Sequence, residues 1–343
     1  MCIRDSNEDI GPFTEYLRSV KDLGIDAFIA ADPGVIDMIW EVMPDAEVHL
    51  STQANMTNYR TAKFWHDRGI RRLVLARELT LEEIREMRKN IPPDMELEAF
   101  VHGAMCISYS GRCLLSNFMI ERDANRGMCA HPCRWKYALV EQQRPGEYYP
   151  VEEDDRGTYI MNSKDLCLIE HLPQLIDAGI SSFKIEGRMK SVFYVATVVS
   201  AYRKAIDSYF KDPQSYSFRQ QWMEDLCKAS HREFTTGFYF HKPDNLDQNY
   251  RTSDYTRDYS FVGIVKSYDP DTGYAKVEQR NKMVLGDRVE VFGPMTDFFE
   301  QDISEMYDEE GEAISSAPHP QQIIKIKMEK PVEPFFMLRN RKE

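Results

Sequence analysis

No stretch of this 343-residue sequence approaches the ~20 consecutive apolar residues of a membrane span, and the amino terminus has no basic segment leading into an apolar one. Phosphate-cradling G-x-G-x-x-G and G-x-x-x-x-G-K-[ST] loops are missing, and so are the H-E-x-x-H metalloprotease helix and the G-x-S-x-G nucleophile elbow. Positive charge is in short supply. With 43 Lys and Arg against 56 Asp and Glu, the formal charge of −13 argues against indiscriminate nucleic-acid binding and leaves room only for a local basic patch. These absences point to a cytoplasmic protein, and in that compartment thiols stay reduced. Clustered cysteines are then read as metal ligands or catalysts before disulfides.

What is present suits a large folded chain. The length fits about two domains, and 42% hydrophobic residues with 12% aromatics are enough for a sizeable core. Three segments share one grammar: "VKDLGIDAFIAADPG", "WHDRGIRRLVLARE" and "LIDAGISSFKIEGR". Each runs from a helix tail through a glycine and an isoleucine into a short apolar strand. Gly24, Gly69 and Gly179 suit the left-handed position just past a helix end. Strands are expected at Ala27–Ala31, Arg72–Ala76 and Ser182–Ile185, with two more in "EVHLSTQAN" and "ELEAFVHG". Helices are expected at Asn58–Arg68, Thr80–Lys89, Leu166–Ala178 and Ser191–Tyr209.

This alternation predicts an α/β fold with a parallel sheet, a (β/α) TIM-like barrel over residues 1–240 with a Cys-rich insertion at about 104–158. An open doubly wound sheet is the alternative. The opening "MCIRDS" reads as a translated adapter rather than a native start, so the barrel is expected to be truncated at its amino terminus. Residues 241–255 read as a polar linker. The alternating runs "FVGIVKSYD", "GYAKVEQRN", "DRVEVFGP" and "QQIIKIKM" then predict a small all-β barrel over 256–343.

In a barrel the functional side chains gather at the carboxyl ends of the strands. Those ends offer His49 with Gln53 and Asn55, Arg77 with Glu78, Glu98 with His102, and Lys184 with Glu186 and Arg188. Arg77, Lys184 and Arg188 could clamp a carboxylate or phosphate, with His49 and Gln53 as further substrate contacts. His102, Glu98 and Glu186 are the acid–base candidates. Four of the seven cysteines follow the pattern Cys106-x6-Cys113-x15-Cys129-x3-Cys133. Structural zinc usually uses two tight C-x(2–4)-C pairs, and the loose first pair here tilts the reading to iron–sulfur. Cys167 is a fifth candidate. A Cys–His dyad, Cys106 or Cys113 with His102 or His131, is the competing nucleophilic arrangement. Arg122, Arg126, Arg134 and Lys136 make residues 112–136 a candidate locally basic patch.

"EAFVHGAMCISYSGRCLLS" (Glu98–Ser116) resembles the signature of the collagenase-like peptidase U32 family, and the likeness continues through "RGMCAHPCRW", "GTYIMNSKDL" and "FKIEGRMKS" into the β-rich C-terminal domain. Within the family it is strongest to the branch that hydroxylates tRNA wobble uridine at position 5 with prephenate as hydroxyl source. The resemblance implies a barrel-type catalytic domain and an iron–sulfur cluster, [4Fe–4S], on Cys106, Cys113, Cys129 and Cys133. Some relatives acting in quinone hydroxylation use a cysteine matching Cys167 in place of Cys133, which makes Cys167 the alternative fourth ligand. It also implies tRNA and prephenate as partners, with Arg122, Arg126, Arg134 and Lys136 facing RNA phosphates. The competing expectations are a collagenase-like peptidase and an accessory protein of rRNA or other hydroxylation. Homo- and hetero-oligomeric assembly are both left open.

Overall fold

The computed structural model describes residues 7–106, 108–109, 113–122, 124, 127–135, 138–139, 149–150, 164–241, 255–294 and 296–342. They form two compact units, one of residues 1–186 with 232–254 and one of 187–231 with 255–343.

The first unit contains α1 (Asn7–Val20), β1 (Phe28–Ala30), α2 (Pro33–Val42), β2 (Val48–Leu50), α3 (Tyr59–His66), β3 (Arg72–Val74), α4 (Leu81–Asn90) and β4 (Glu96–Ala104). It continues with α5 (Leu115–Ile120), the short pair β5 (Ala138–Leu139) and β6 (Tyr149–Pro150), β7 (Asp165–Cys167), α6 (Leu172–Asp177), β8 (Ser182–Ile185) and β9 (Phe234–Thr235). Local chemistry sets the helix starts. Asp32 accepts from the amides of Gly34 and Val35 ahead of Pro33, and Asn58 accepts from Thr61. Thr80 and Glu83 form a reciprocal capping box at α4. Gly24, Gly69 and Gly179 all take positive φ, as their place after helices requires.

The five expected strands lie side by side in the order β1–β2–β3–β4–β8, every neighbouring pair parallel. Two short strands join the sheet in the other direction: β7 runs antiparallel to the end of β4, and β9 runs parallel to β7. The sheet is therefore mixed, and among the described residues its path has free ends at β1 and β9. The helix expected from Leu166 begins only at Leu172. Residues Asp165–Cys167 are strand instead, because Leu166 pairs across to Gly103 and the Leu168 amide donates to the Val101 carbonyl at 3.0 Å. A short apolar run reads alike for a buried strand and a helix face, and here tertiary pairing decided.

The second unit holds α7 (Val192–Lys211), α8 (Gln220–Lys228), β10 (Tyr259–Asp269), β11 (Tyr274–Gln279), β12 (Met283–Val284), β13 (Arg288–Phe292) and β14 (Phe299–Asp302). Its last strands are β15 (Met306–Tyr307), β16 (Ser316–Ala317), β17 (Ile323–Lys327) and β18 (Met337–Arg341). Seven of them form one antiparallel sheet, β14-β13-β18-β10-β11-β17-β15, while β12 and β16 pair separately. Register shifts at Phe261/Gly263 and Val265/Ser267 bend the long strand β10. Alternate residues such as Val277, Val289, Val291, Ile324 and Ile326 turn into one core. The two helices group with this sheet rather than with the residues before 187: the Phe193 ring stacks on Phe261 with centroids 5.4 Å apart.

A charged knot fastens α8 to the sheet. Glu290 on β13 accepts from Arg339 Nε at 2.7 Å and Lys228 Nζ at 2.9 Å, and Asp225 lies 3.3 Å and 3.4 Å from the same two cations. Arg339 is only 2% exposed, so the charges need one another. Replacing Glu290 by alanine strands two buried cations with Asp225 alone. Urea denaturation should show a loss of about 3–5 kcal/mol; a midpoint equal to wild type would show that the knot contributes nothing.

Candidate active site at the carboxyl end of the parallel sheet

Glu98, Lys184 and Arg72 share one face of the sheet, since Val74 pairs with Glu98, Glu98 with Ser182, and Phe100 with Lys184. Ser182 opens β8 and Arg72 opens β3, so this cluster lies toward the amino-terminal ends of the strands rather than the carboxyl ends. Glu98 is 7% exposed and fully engaged: Lys184 Nζ donates to it at 2.6 Å, Ser182 Oγ at 2.9 Å, and Arg72 Nη1 stands 3.8 Å away. Burial opposes its charge, yet the Lys184 hydrogen bond and charge, with Ser182 and Arg72, hold the carboxyl below the usual carboxylate range. The expected acid–base carboxylate and one expected substrate cation are thus spent on each other. His49 is buried beside the strand start, with Nε2 2.6 Å from Glu47 Oε1. The Gln53 amide donates to Ser51 Oγ at 3.3 Å in the turn after β2.

At the other end, β4 makes a sharp adjustment at Gly103, whose φ is +112°. A Cβ there would lie 2.4 Å from the Glu186 carbonyl oxygen, so only glycine lets the two backbones approach. The Glu186 amide donates to the His102 carbonyl at 2.8 Å, and His102 itself is buried opposite Cys167 of β7.

Above this crossing sits Arg77. Its guanidinium lies 3.8 Å over the Phe100 ring, and Nη1 donates to the Ala104 carbonyl at 2.7 Å. Its Nε is buried with no hydrogen-bond partner. Burial pushes the Arg77 pKa down, opposed by the charges of Glu186, Cys106, Glu78 and Tyr239 around it. Burial likewise pushes the Glu78 carboxyl up, against its backbone hydrogen bonds and Arg77. Tyr239 closes the group: its hydroxyl donates to the Phe100 carbonyl at 2.8 Å, and its own carbonyl accepts from the Leu81 amide at 2.9 Å. Nothing in the "TTGFYF" stretch marked Tyr239 as a site residue, because its partners are backbone groups far away in sequence.

The cysteines begin just past β4. Cys106 is exposed, with Sγ 3.8 Å from Ser108 Oγ. Cys113 accepts the Leu115 amide at 3.4 Å and Cys129 the His131 amide at 3.3 Å. Ser116 Oγ accepts from the Ala130 amide at 3.1 Å, which ties the start of α5 to the Cys129 loop, and the turn Pro132–Arg134 carrying Cys133 packs on α5. Cys167 is buried on β7. Among the described residues no cysteine forms a disulfide. Among the described residues no three His, Cys, Asp or Glu side chains gather closely enough to hold a single metal ion. The donor set does suit an iron–sulfur cluster chemically: four thiols close in sequence, two already receiving amide hydrogen bonds of the kind that tune cluster sulfurs.

Of the basic stretch, Arg122 is exposed, its amide donating to the Ser116 carbonyl at 3.3 Å. Arg126, Lys136 and the Arg134 side chain lie outside the described residues, as does most of the 241–255 linker. Arg188 belongs to the second unit. No helix among the described residues is long and apolar enough to cross a membrane.

Comparison with known proteins gives this arrangement a family. The pattern of peptidase family U32 matches residues 3–249, and that of the peptidase family U32 C-terminal domain matches 257–339. The chain belongs to peptidase family U32. It is 44% identical to tRNA hydroxylation protein P1 of Bacillus subtilis (strain 168) over 336 residues, 98% of this chain and 79% of that protein. It is 38% identical to tRNA hydroxylation protein P of Escherichia coli (strain K12), covering 92% of this chain and 77% of that one. A protein named collagenase from Porphyromonas gingivalis (strain ATCC BAA-308 / W83) is 32% identical over 88% of this chain and 73% of its own length.

Two expected outcomes follow from the geometry. Gly103→Ala should destabilise the protein by about 2–3 kcal/mol or more, read from its urea midpoint, because it combines a positive φ with a backbone clash. Glu98 has a folded pKa depressed below 4.5, so its ion pairs stabilise fully above that value and are lost as pH falls below it. The stability gap between wild type and Glu98→Gln should therefore be constant near neutrality and shrink below pH 4.5. A gap that widens with acid would reverse this sign.

Proposed function

We propose that this protein modifies tRNA, supporting prephenate-dependent 5-hydroxylation of the wobble uridine, with Cys106, Cys113, Cys129 and Cys133 as ligands of a [4Fe–4S] cluster and Cys167 as the alternative fourth ligand. The observation that carries the reading is the position of Cys106: it follows two residues after β4, near enough to the half-buried Arg77 for its charge to act there, at the carboxyl end of the parallel sheet. The names of the Bacillus and Escherichia relatives support tRNA as the substrate. The parallel order β1–β2–β3–β4–β8 supports a TIM-like barrel wall, whose carboxyl end is where such folds do chemistry.

Within that site Arg77 is the residue suited to a carboxylate of prephenate. One edge of its guanidinium is held by the Ala104 carbonyl and its face by Phe100, while buried Nε still has a hydrogen to donate. Lys184 is occupied by Glu98, and His49 by Glu47. Glu186 and Glu78 stand near enough to Arg77 to act on its charge, and burial pushes the Glu78 carboxyl up, which suits it to hold a proton at the mouth. A bound cluster would supply electron transfer beside this mouth. The second reading, a peptidase, is favoured by the Porphyromonas relative's name and would need one activated cysteine instead of four ligands.

The test is Cys129→Ala in cells lacking the endogenous activity. Bound iron, acid-labile sulfide and 5-hydroxyuridine in tRNA should all disappear together. Modification retained after complete iron loss would sink the cluster's role, and cleavage of a collagen substrate by wild type but not by a cysteine variant would favour the peptidase.

A further inference from the structure

An apolar cavity of about 850 Å³ opens within the second unit, between α7 and the ends of β13 and β18. One wall is a face of α7, where Val192, Val195, Ala196 and Val199 recur at helical spacing. The other is formed by Phe292, Gly293 and Pro294 with Phe335 and Met337. Its floor is packed core rather than a loose seam. Phe193 stacks on Phe261 and stands edge-on to Phe292 with centroids 6.1 Å apart, and Ile264 and Met337 complete that cluster. The helix is thus fixed against the sheet with the cavity already open, in the range of roughly 300–1,000 Å³ typical of small-molecule sites.

The walls reach water: Val192 is 67% exposed and Phe335 71%. Phe335 is held there against its own backbone preference. Its φ is +73°, a region that bulky side chains rarely adopt, and its amide is fastened to the Val265 carbonyl at 2.8 Å. A strained residue that keeps a ring at the rim of a cavity, and out of the core, points to a ligand for that ring.

Size and charge select the occupant. Arg188, Lys190 and Arg203 line the cavity, and no Asp or Glu is among the described residues that do. Arg203 continues the row of Val192, Val195 and Val199 one turn further along the same face, which ends an apolar strip of about 16 Å with a cation. Arg203 pairs with Asp207 on its own helix, and Lys190 lies over the Tyr194 and Tyr255 rings. The Arg203 pair is half open to water, where such pairs are weak, so a competing carboxylate can take the place of Asp207. A small inorganic anion has no use for the walls, and an uncharged apolar segment none for the cations. The helix side of the strip is wholly aliphatic, which suits a flexible chain better than a flat ring.

We propose that this cavity binds a free long-chain carboxylate, its acyl chain lying along Val192–Val199 beside the Phe335 ring and its carboxylate on Arg203. Every residue involved belongs to the second unit, so the site stands apart from the tRNA reading above.

The test is calorimetric titration of the whole chain with dodecanoate below its micelle-forming concentration, beside dodecyltrimethylammonium and 2-naphthoate. Dodecanoate should bind saturably, one per chain, and about tenfold or more tighter than either of the others. Arg203→Gln should weaken dodecanoate about tenfold and leave dodecyltrimethylammonium unweakened, while Arg203→Lys keeps part of the affinity. Val199→Glu, which places a charge in the exposed apolar wall, should abolish binding. Phe335→Gly should weaken binding while leaving the urea midpoint equal or higher, because glycine relieves the positive φ; a ring with a merely structural role would lower the midpoint instead.

Binding at micellar concentrations only, equal affinity for the cationic amphiphile, tighter binding of naphthoate, or dodecanoate affinity unaltered by both Val199→Glu and Phe335→Gly would each overturn the site. So would preferential co-sedimentation with phosphatidylglycerol vesicles, or a dimer in sedimentation that Val199→Glu dissolves, since either assigns the face to a membrane or to a second copy of the chain. Should Val199→Glu fold poorly, the Phe335→Gly result decides.

Discussion

Between Gly103 and the backbone of Glu186 there is no room for a Cβ, and the arrangement of the first unit depends on that contact. β4 is nine residues long and buried over most of its length, and it has to serve three neighbours. It pairs in parallel with β3 and β8 along its first part, then antiparallel with β7 over His102–Ala104. The change of partner happens across the register shift between Phe100 and His102, followed at once by the left-handed glycine. That step presents the Ala104 carbonyl to Arg77 and carries the chain out to Cys106. A side chain at 103 would separate β4 from the end of β8, and Arg77 would lose the carbonyl that orients it.

Two cationic groups on the same face of the sheet show how satisfaction separates structure from readiness. Around Glu98 the charges are matched and hydrogen-bonded, so the cluster holds β3, β4 and β8 in register and has little left to offer a ligand. Around Arg77 the matching is incomplete, because a buried Nε keeps an unused hydrogen. Buried polar groups are normally paired, and an exception beside a cysteine and two carboxylates is where a substrate anion would gain most. The second unit repeats the first case. Glu290, Asp225, Arg339 and Lys228 balance two charges against two, and three aromatic rings stand over the cations. Such a closed knot gives helix-to-sheet registration rather than chemistry.

Family membership alone does not choose between the two activities written into the names of the relatives, since one fold hosts many chemistries. The donor set is more selective. Four thiols within one short segment, two of them already receiving amide hydrogen bonds, are more than a cysteine nucleophile needs.

The strands β1, β2, β3, β4 and β8, the glycine helix stops and the α4 capping box could be read from local pattern, because periodicity, caps and turn residues act over a few positions. The spacing of the four cysteines is local too, but spacing does not say whether their side chains converge. Long-range pairing decided the rest. Leu166 belongs to a strand only because β4 is there to pair with it, and Lys184 is bound to Glu98 only because β8 lies beside β4. Tyr239 became part of the site through the Phe100 carbonyl, 139 residues away, and the still more distant Leu81 amide, which no local pattern encodes. Sequence determined which residues could do chemistry; the sheet, by choosing which of them touch, decided that Glu98 and Lys184 hold the fold while Arg77 keeps a buried Nε without a hydrogen-bond partner.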